Sequence, residues 1–314
     1  VLDILTITVP LYACVFVGYA AVRWGPFGRR DVDTISAFVM NIALPALMFS
    51  SLSARPLAEA LHPTYLLVYA LASLVTLVFG YVYSRRVERT GHAAAAFDAM
   101  GMGAANSGFI GFPLFSLLLP GLAGPIFGMN VLVESLLTLP LVFFWAGLSD
   151  SAGSSLGTQV RAAVVRMAKM PVMIALVAGM VVSLLGWHLP EVLATSLDLF
   201  GRASTALALF GVGGMLVGIR VRGQVRRIVV VTAGKLLVMP GVAFLFVWVL
   251  GWTPLPPLGD DLALAAVVGA GLPTFTSSVI FAATFGEKDV PPAVMLLTTL
   301  GSFVTVTGLL VLLG

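Results

Sequence analysis

Charge is scarce in this chain. Its 314 residues hold 17 Lys and Arg and 14 Asp and Glu, 10% in all. A soluble globular domain carries roughly 25%, and a surface so poor in charge cannot face water. Cysteine is scarcer still. Cys14 is the single one, which excludes an intrachain disulfide framework and any multi-cysteine metal site. The three histidines, His62, His92 and His188, fall near expected loops and form no ligand cluster. No Walker-A glycine loop occurs, so ATP hydrolysis is not expected. The stretch Gly153-Ser154-Ser155-Leu156-Gly157 has a hydrolase spacing but no strand before it. Gly211-Val212-Gly213-Gly214 fails the dinucleotide fingerprint and lies in an apolar run. Both are read as chance. The chain is expected to be no enzyme and to hold no cofactor or metal.

What it has in abundance is apolar length. Hydrophobic residues make up 59% and mean hydropathy is +1.06. About 20 consecutive apolar residues span a bilayer core as a helix. A membrane barrel would instead show short alternating segments, and the runs here are long and unbroken. The fold class expected is therefore all-α integral membrane, with about ten transmembrane helices. They are placed at 3–22, 33–53, 64–84, 93–118, 125–147, 162–186, 196–218, 225–250, 261–284 and 290–313. The first run lacks a basic leader and reads as a mature span. A Ser- and Gly-rich connection from Ser149 to Gln159 divides the chain into repeats over 1–150 and 151–314, of five spans each.

The basic residues set orientation. Arg23, Arg29 and Arg30, then Arg85, Arg86 and Arg89, then Arg161, Arg166 and Lys169, then Arg220, Arg222, Arg226 and Arg227, and Lys288 crowd alternate connections, while the opposite side carries Arg55 and Arg202. By the positive-inside rule the net charge of +3 reflects topology and not nucleic acid, and both termini face the outer side of the cell membrane. An odd number of spans per half makes the second half enter from the opposite side, an inverted repeat where the halves are related. Span four holds Gly103-Ala104-Ala105-Asn106-Ser107-Gly108 and span nine holds Gly269-Ala270-Gly271-Leu272-Pro273-Thr274, two small-residue stretches at corresponding places.

Gly, Pro and small polar residues in mid-span point to interrupted helices, the usual setting of a transporter site. Asn106 lies roughly 20 Å along span four and Pro273 about 18 Å along span nine, both near the middle of a core about 30 Å thick. Glu134 and Lys235 fall inside spans five and eight. Each costs about 2.5–3.5 kcal/mol at a helix centre, which implies a partner, water or a function. Two readings stand: both face a substrate cavity, Lys235 favouring anions and Glu134 a proton, or they form a structural ion pair. Asp98 is expected to reach interfacial water, and Asp198 and Arg202 to pair along one helix face.

These residues resemble the auxin efflux carrier family, which joins the plant PIN proteins to bacterial carboxylate carriers. The resemblance rests on Ile35 to Ser53 with its Ala43-Leu44-Pro45 core, on Asn106 to Pro113, on Leu197 to Gly218, and on Leu272-Pro273-Thr274 with Phe281-Ala282. It covers nearly the whole chain. It implies a secondary transporter of small organic anions, mono- or dicarboxylates such as malonate, with auxin-like anions a further option. It also implies a scaffold from spans 1, 2, 6 and 7 that dimerises through spans 2 and 7, and a transport unit from spans 3–5 and 8–10 moving as an elevator. By the resemblance Asn106 binds the substrate carboxylate where spans 4 and 9 cross and Pro273 breaks span 9 there; Ser107, Thr274, Glu134, Lys235 and Pro45 are the further candidate substrate-binding residues. Ala105 stands where plant members have a proline, Thr274 where they have a glutamine, and Glu134 replaces a glutamine, so the pocket differs from theirs. Coupling by H+ or Na+ is open. Rival readings are a sodium-coupled carrier of the bile-acid-transporter architecture, with Thr276 and Ser277 as further ion ligands, and a membrane receptor or sensor on a transporter fold. The latter would usually append a signalling domain.

Overall fold

The computed structural model describes residues 2–54, 61–148, 165, 169–187, 189–219 and 223–313. The Ser149–Gln159 connection, the Gly153–Gly157 stretch, the repeat boundary near 150 and His188 lie outside them. The described residues are helical, with one isolated β-bridge and no strand. In chain order the helices are α1 (Leu2–Arg23), α2 (Arg29–Ser53), α3 (Pro63–Arg86), α4 (His92–Gly103), α5 (Ser107–Leu118) and α6 (Ala123–Gly147). They continue with α7 (Pro171–Leu184), α8 (Glu191–Met215), α9 (Val225–Leu250), α10 (Asp260–Ala270), α11 (Ser278–Thr284) and α12 (Val290–Leu313). Six of them, α2, α3, α6, α8, α9 and α12, are long and apolar enough to cross a membrane. The Thr8–Arg23 part of α1, α5 and α7 are shorter apolar helices. The spans expected over 93–118 and 261–284, each with a mid-span interruption, are broken into α4 and α5 and into α10 and α11.

A proline sits just beyond a widened turn in four of these helices. Helices α2, α5, α6 and α9 contain π segments at Val39–Ala43, Ser107–Gly111, Glu134–Thr138 and Gly234–Val238. Each is followed by one residue and then a proline: Pro45, Pro113, Pro140 and Pro240. Proline has no N–H and its ring crowds the carbonyl four residues back. Bonding five residues back relieves that crowding. Accordingly Leu44 N–H donates to Val39 O, Leu139 N–H to Glu134 O and Met239 N–H to Gly234 O. Both mid-span ionisable residues, Glu134 and Lys235, therefore sit on local departures from α geometry.

The chain forms two compact units. The first comprises Val1–His62, Ser107–Val131 and Met167–Val217. In it α8 packs on α1 at a distance that only glycine permits: a Cβ on Gly213 would lie 2.8 Å from Tyr19 N. Small residues of this kind let membrane helices approach closely, where no water-driven force presses them together. A groove of about 390 Å³ in this unit is lined by Ser50, Ser51, Ser116 and Thr205 and by Asp198 and Arg202. The last two form the expected helix-face pair, with Arg202 Nε donating to Asp198 Oδ2 at 2.7 Å.

The second unit comprises Pro63–Asn106, Leu132–Arg166 and Gly218–Gly314. Its core includes Tyr65, Tyr69, Leu77, Met100 and Met102, all fully buried. Helices α3 and α4 meet at Gly80, where a Cβ would fall 2.9 Å from Ala99 Cα. Tryptophans stand exposed at helix ends: Trp24 after α1, Trp187 after α7, Trp248 and Trp252 at the end of α9. That is where an amphipathic ring finds the bilayer–water boundary.

Candidate functional site

The second unit holds most of the expected site. Helix α4 stops at Gly103, and Ala104 turns extended, with φ −111° and ψ 138°. Helix α10 stops at Ala270, and Pro273, which cannot donate, keeps the helix from resuming at once. The two freed stretches pair. Ala105 and Thr274 form an antiparallel bridge, and Asn106 N–H donates to Pro273 O at 2.9 Å. Asn106 Nδ2 donates to Thr276 Oγ1 at 2.6 Å, and Thr274 N–H to Thr298 Oγ1 at 3.2 Å. Thr298 passes its own hydroxyl hydrogen back to α12, with Val294 O at 2.8 Å. Every backbone polar group in lipid has to be satisfied within the protein, and these bonds replace the helical ones lost at the breaks.

One polar atom stays outside that network. Thr274 is 1% exposed, and its Oγ1 is buried without a hydrogen-bond partner among the described residues. An unmet buried hydroxyl costs about 1–3 kcal/mol. It persists here beside Asn106 and Thr276, in a setting suited to an incoming polar group.

A second cluster adjoins the first. Tyr69 OH donates to Glu134 Oε1 at 2.9 Å. Lys235 is fully buried, and its Nζ donates to Ala270 O at 3.0 Å and lies 2.8 Å from Met239 Sδ. Glu134 is within electrostatic reach of that ammonium. Asn106, Pro273 and Thr274 are thus brought together, and Lys235 reaches the same interruption through α10. Ser107 and Pro45 belong to the first unit, both buried. There Gly108, next to Ser107, packs beside Leu44, the neighbour of Pro45, with a Cβ at 108 falling 3.0 Å from Leu44 Cδ1.

A third cluster departs from expectation. Asp98 does not reach water: it is 1% exposed. Its Oδ2 accepts from Arg227 Nε at 2.6 Å and from Ser84 Oγ at 2.6 Å. Arg227, expected in a connection, is equally buried and donates also to Ala94 O and Gln224 Oε1. Glu287 Oε2 lies 3.9 Å from Arg227 Nη2. Outside the helices Glu88 accepts from Arg226 Nε at 2.9 Å and Tyr83 OH at 2.6 Å. These two bonds, Arg226 first, hold the Glu88 carboxyl below its ordinary range. Sequence reasoning missed Tyr69 and Thr298. A tyrosine in an apolar run reads as a packing or interfacial residue, and a threonine as a hydroxyl bonded back to its own helix. Nothing local distinguishes either.

A family profile described as "Membrane transport protein" matches residues 3–149 and 156–310. A Rhizobium meliloti (strain 1021) protein named "Putative malonate transporter" is 24% identical over 99% of this chain and 96% of its own length. "Uncharacterized transporter YfdV" of Escherichia coli (strain K12) is 26% identical over 65% of this chain and 66% of its own. "Auxin efflux carrier component 2" of Oryza sativa subsp. japonica is 28% identical over 45% of this chain and 24% of its own.

Proposed function

Because the chain belongs to the membrane transport protein family that includes the auxin efflux carriers, a family of multi-pass transporters and not of enzymes, we propose that it carries small organic anions across the cell membrane by alternating access. The substrates are mono- and dicarboxylates of the size of malonate, the class named for the Rhizobium relative. The observation that carries this reading is the antiparallel pairing of two interrupted helices at Ala105 and Thr274, with Asn106 and Thr276 beside an unpartnered Thr274 hydroxyl. Non-helical backbone inside a membrane is tolerated where protein buries it or a cavity needs it.

In this proposal the chain is two inverted five-helix repeats, with spans four and nine crossing and both termini outside. The scaffold is α1, α2, α7 and α8, which share the first compact unit, and a homodimer forms through α2 and α8. The elements carrying the interruptions move against it as an elevator. A carboxylate is received by the Asn106 amide and the Thr274 hydroxyl.

The test is uptake of labelled malonate and related carboxylates by proteoliposomes under imposed pH and sodium gradients. Asn106→Leu is expected to abolish uptake while the purified protein keeps its size-exclusion profile. Undiminished uptake by that variant takes Asn106 out of the site. Stimulation by a sodium gradient alone would move the protein to the sodium-coupled class.

A further inference from the structure

An α-helix that ends in mid-membrane leaves its last carbonyls without donors. In α10 the accounting is complete for two of them: Gly271 N–H returns to Val267 O and Leu272 N–H to Gly269 O. Ala270 O is different. Its helical donor would be the N–H of Thr274, four residues on, but that N–H is turned to Thr298 Oγ1. Proline at 273 supplies no substitute. The donor that arrives is Lys235 Nζ, from another helix, at 3.0 Å and with no exposure to solvent.

We propose that Lys235 is a positioning residue, the cap of the interrupted helix α10, and that Glu134 balances its charge, so that Lys235 holds the crossing in shape and does not bind the substrate anion. The carbonyl end of a helix carries partial negative charge and favours a cation. Two negative neighbours, that helix end and the Glu134 carboxylate, favour the charged form of the buried amine. Among the described residues Glu134 is the charged group that acts on it, and Tyr69 fixes Glu134 from α3. The sulfur of Met239, one turn on in α9, adds a further contact to the fully buried amine. The π segment that starts at Gly234 places Lys235 on a wider turn, and the proline at 240 fixes that turn in place.

The cap and the ligand readings part at one substitution. Glutamine can still donate to a carbonyl but has no charge; methionine can do neither. The experiment measures malonate uptake in proteoliposomes and thermal unfolding in detergent for Lys235→Gln, Lys235→Met, Lys235→Arg and the double variant Lys235→Gln with Glu134→Gln. Capping predicts a maximal rate in the order wild type, Arg, Gln, Met, with at least tenfold between the last two and KM within twofold throughout. It also predicts that Glu134→Gln raises the melting temperature of Lys235→Gln, because the buried carboxylate no longer lacks its counter-charge. Equal Gln and Met variants, with KM raised tenfold or more and the rate kept, would overturn the proposal and make Lys235 a ligand. So would a melting temperature indifferent to all four changes. The flux arm rests on the transporter reading above. If the wild-type protein takes up no carboxylate, that reading fails, and the melting series alone still decides the cap.

Discussion

Asp98 shows how much a single buried residue can hide from its own sequence. Near the start of an apolar run, it reads as a carboxylate reaching for the interface. Arg227 and Ser84 instead bind one of its oxygens, and Oδ1 is left buried without a partner among the described residues. Removing one member of a buried pair strands the other, at about 3–5 kcal/mol. Asp98→Asn is therefore expected to lower the melting temperature sharply, and adding Arg227→Gln to recover part of the loss. Additive losses would show that the two do not act together. Thr274 gives the opposite case. Its unmet hydroxyl stabilises nothing in the fold, so Thr274→Val should leave thermal stability unchanged or slightly raised. If that hydroxyl receives substrate, KM for the carboxylate rises several-fold. Asn106, Pro273 and Thr274 could be named in advance because polarity and proline in an apolar run are visible locally. The partners of Asp98 and Lys235 could not, since each lies on another helix.

Among the elements, the interruptions in α4–α5 and α10–α11 were legible from clustered Gly and Pro, because those residues act on their own backbone. The π segments have an equally local cause, a proline one residue beyond each, yet a proline in a membrane run reads as a kink of unspecified form. Close helix approach was less legible: thirty-three glycines occur, and only coordinates tell which ones touch backbone. Gly80 does. Gly80→Val would drive α4 away from α3, at about 1–3 kcal/mol for overpacking. Because α4 leads straight into Asn106, uptake should fall along with the melting temperature. Normal uptake at a lowered melting temperature would show that the α3–α4 spacing does not reach the crossing.

For the molecule as a whole, composition decided the class: a chain with 59% hydrophobic residues and 10% charge belongs in lipid. The count of spans was harder to read, since length and composition mark six helices and leave the broken and shorter ones to other arguments. The tryptophans offer a physical check. Four of the five are well exposed and stand at helix ends, Trp24 at 70% and Trp252 at 80%. Brominated lipids carrying the quencher at graded acyl depths should dim their emission most when bromine lies close to the headgroups. Maximal dimming from the acyl-chain ends would mean that these rings lie far deeper than helix termini should. The protein thus carries native fluorophores that can gauge bilayer thickness without any attached label, and thicker or thinner lipids should shift their emission colour before they unfold anything.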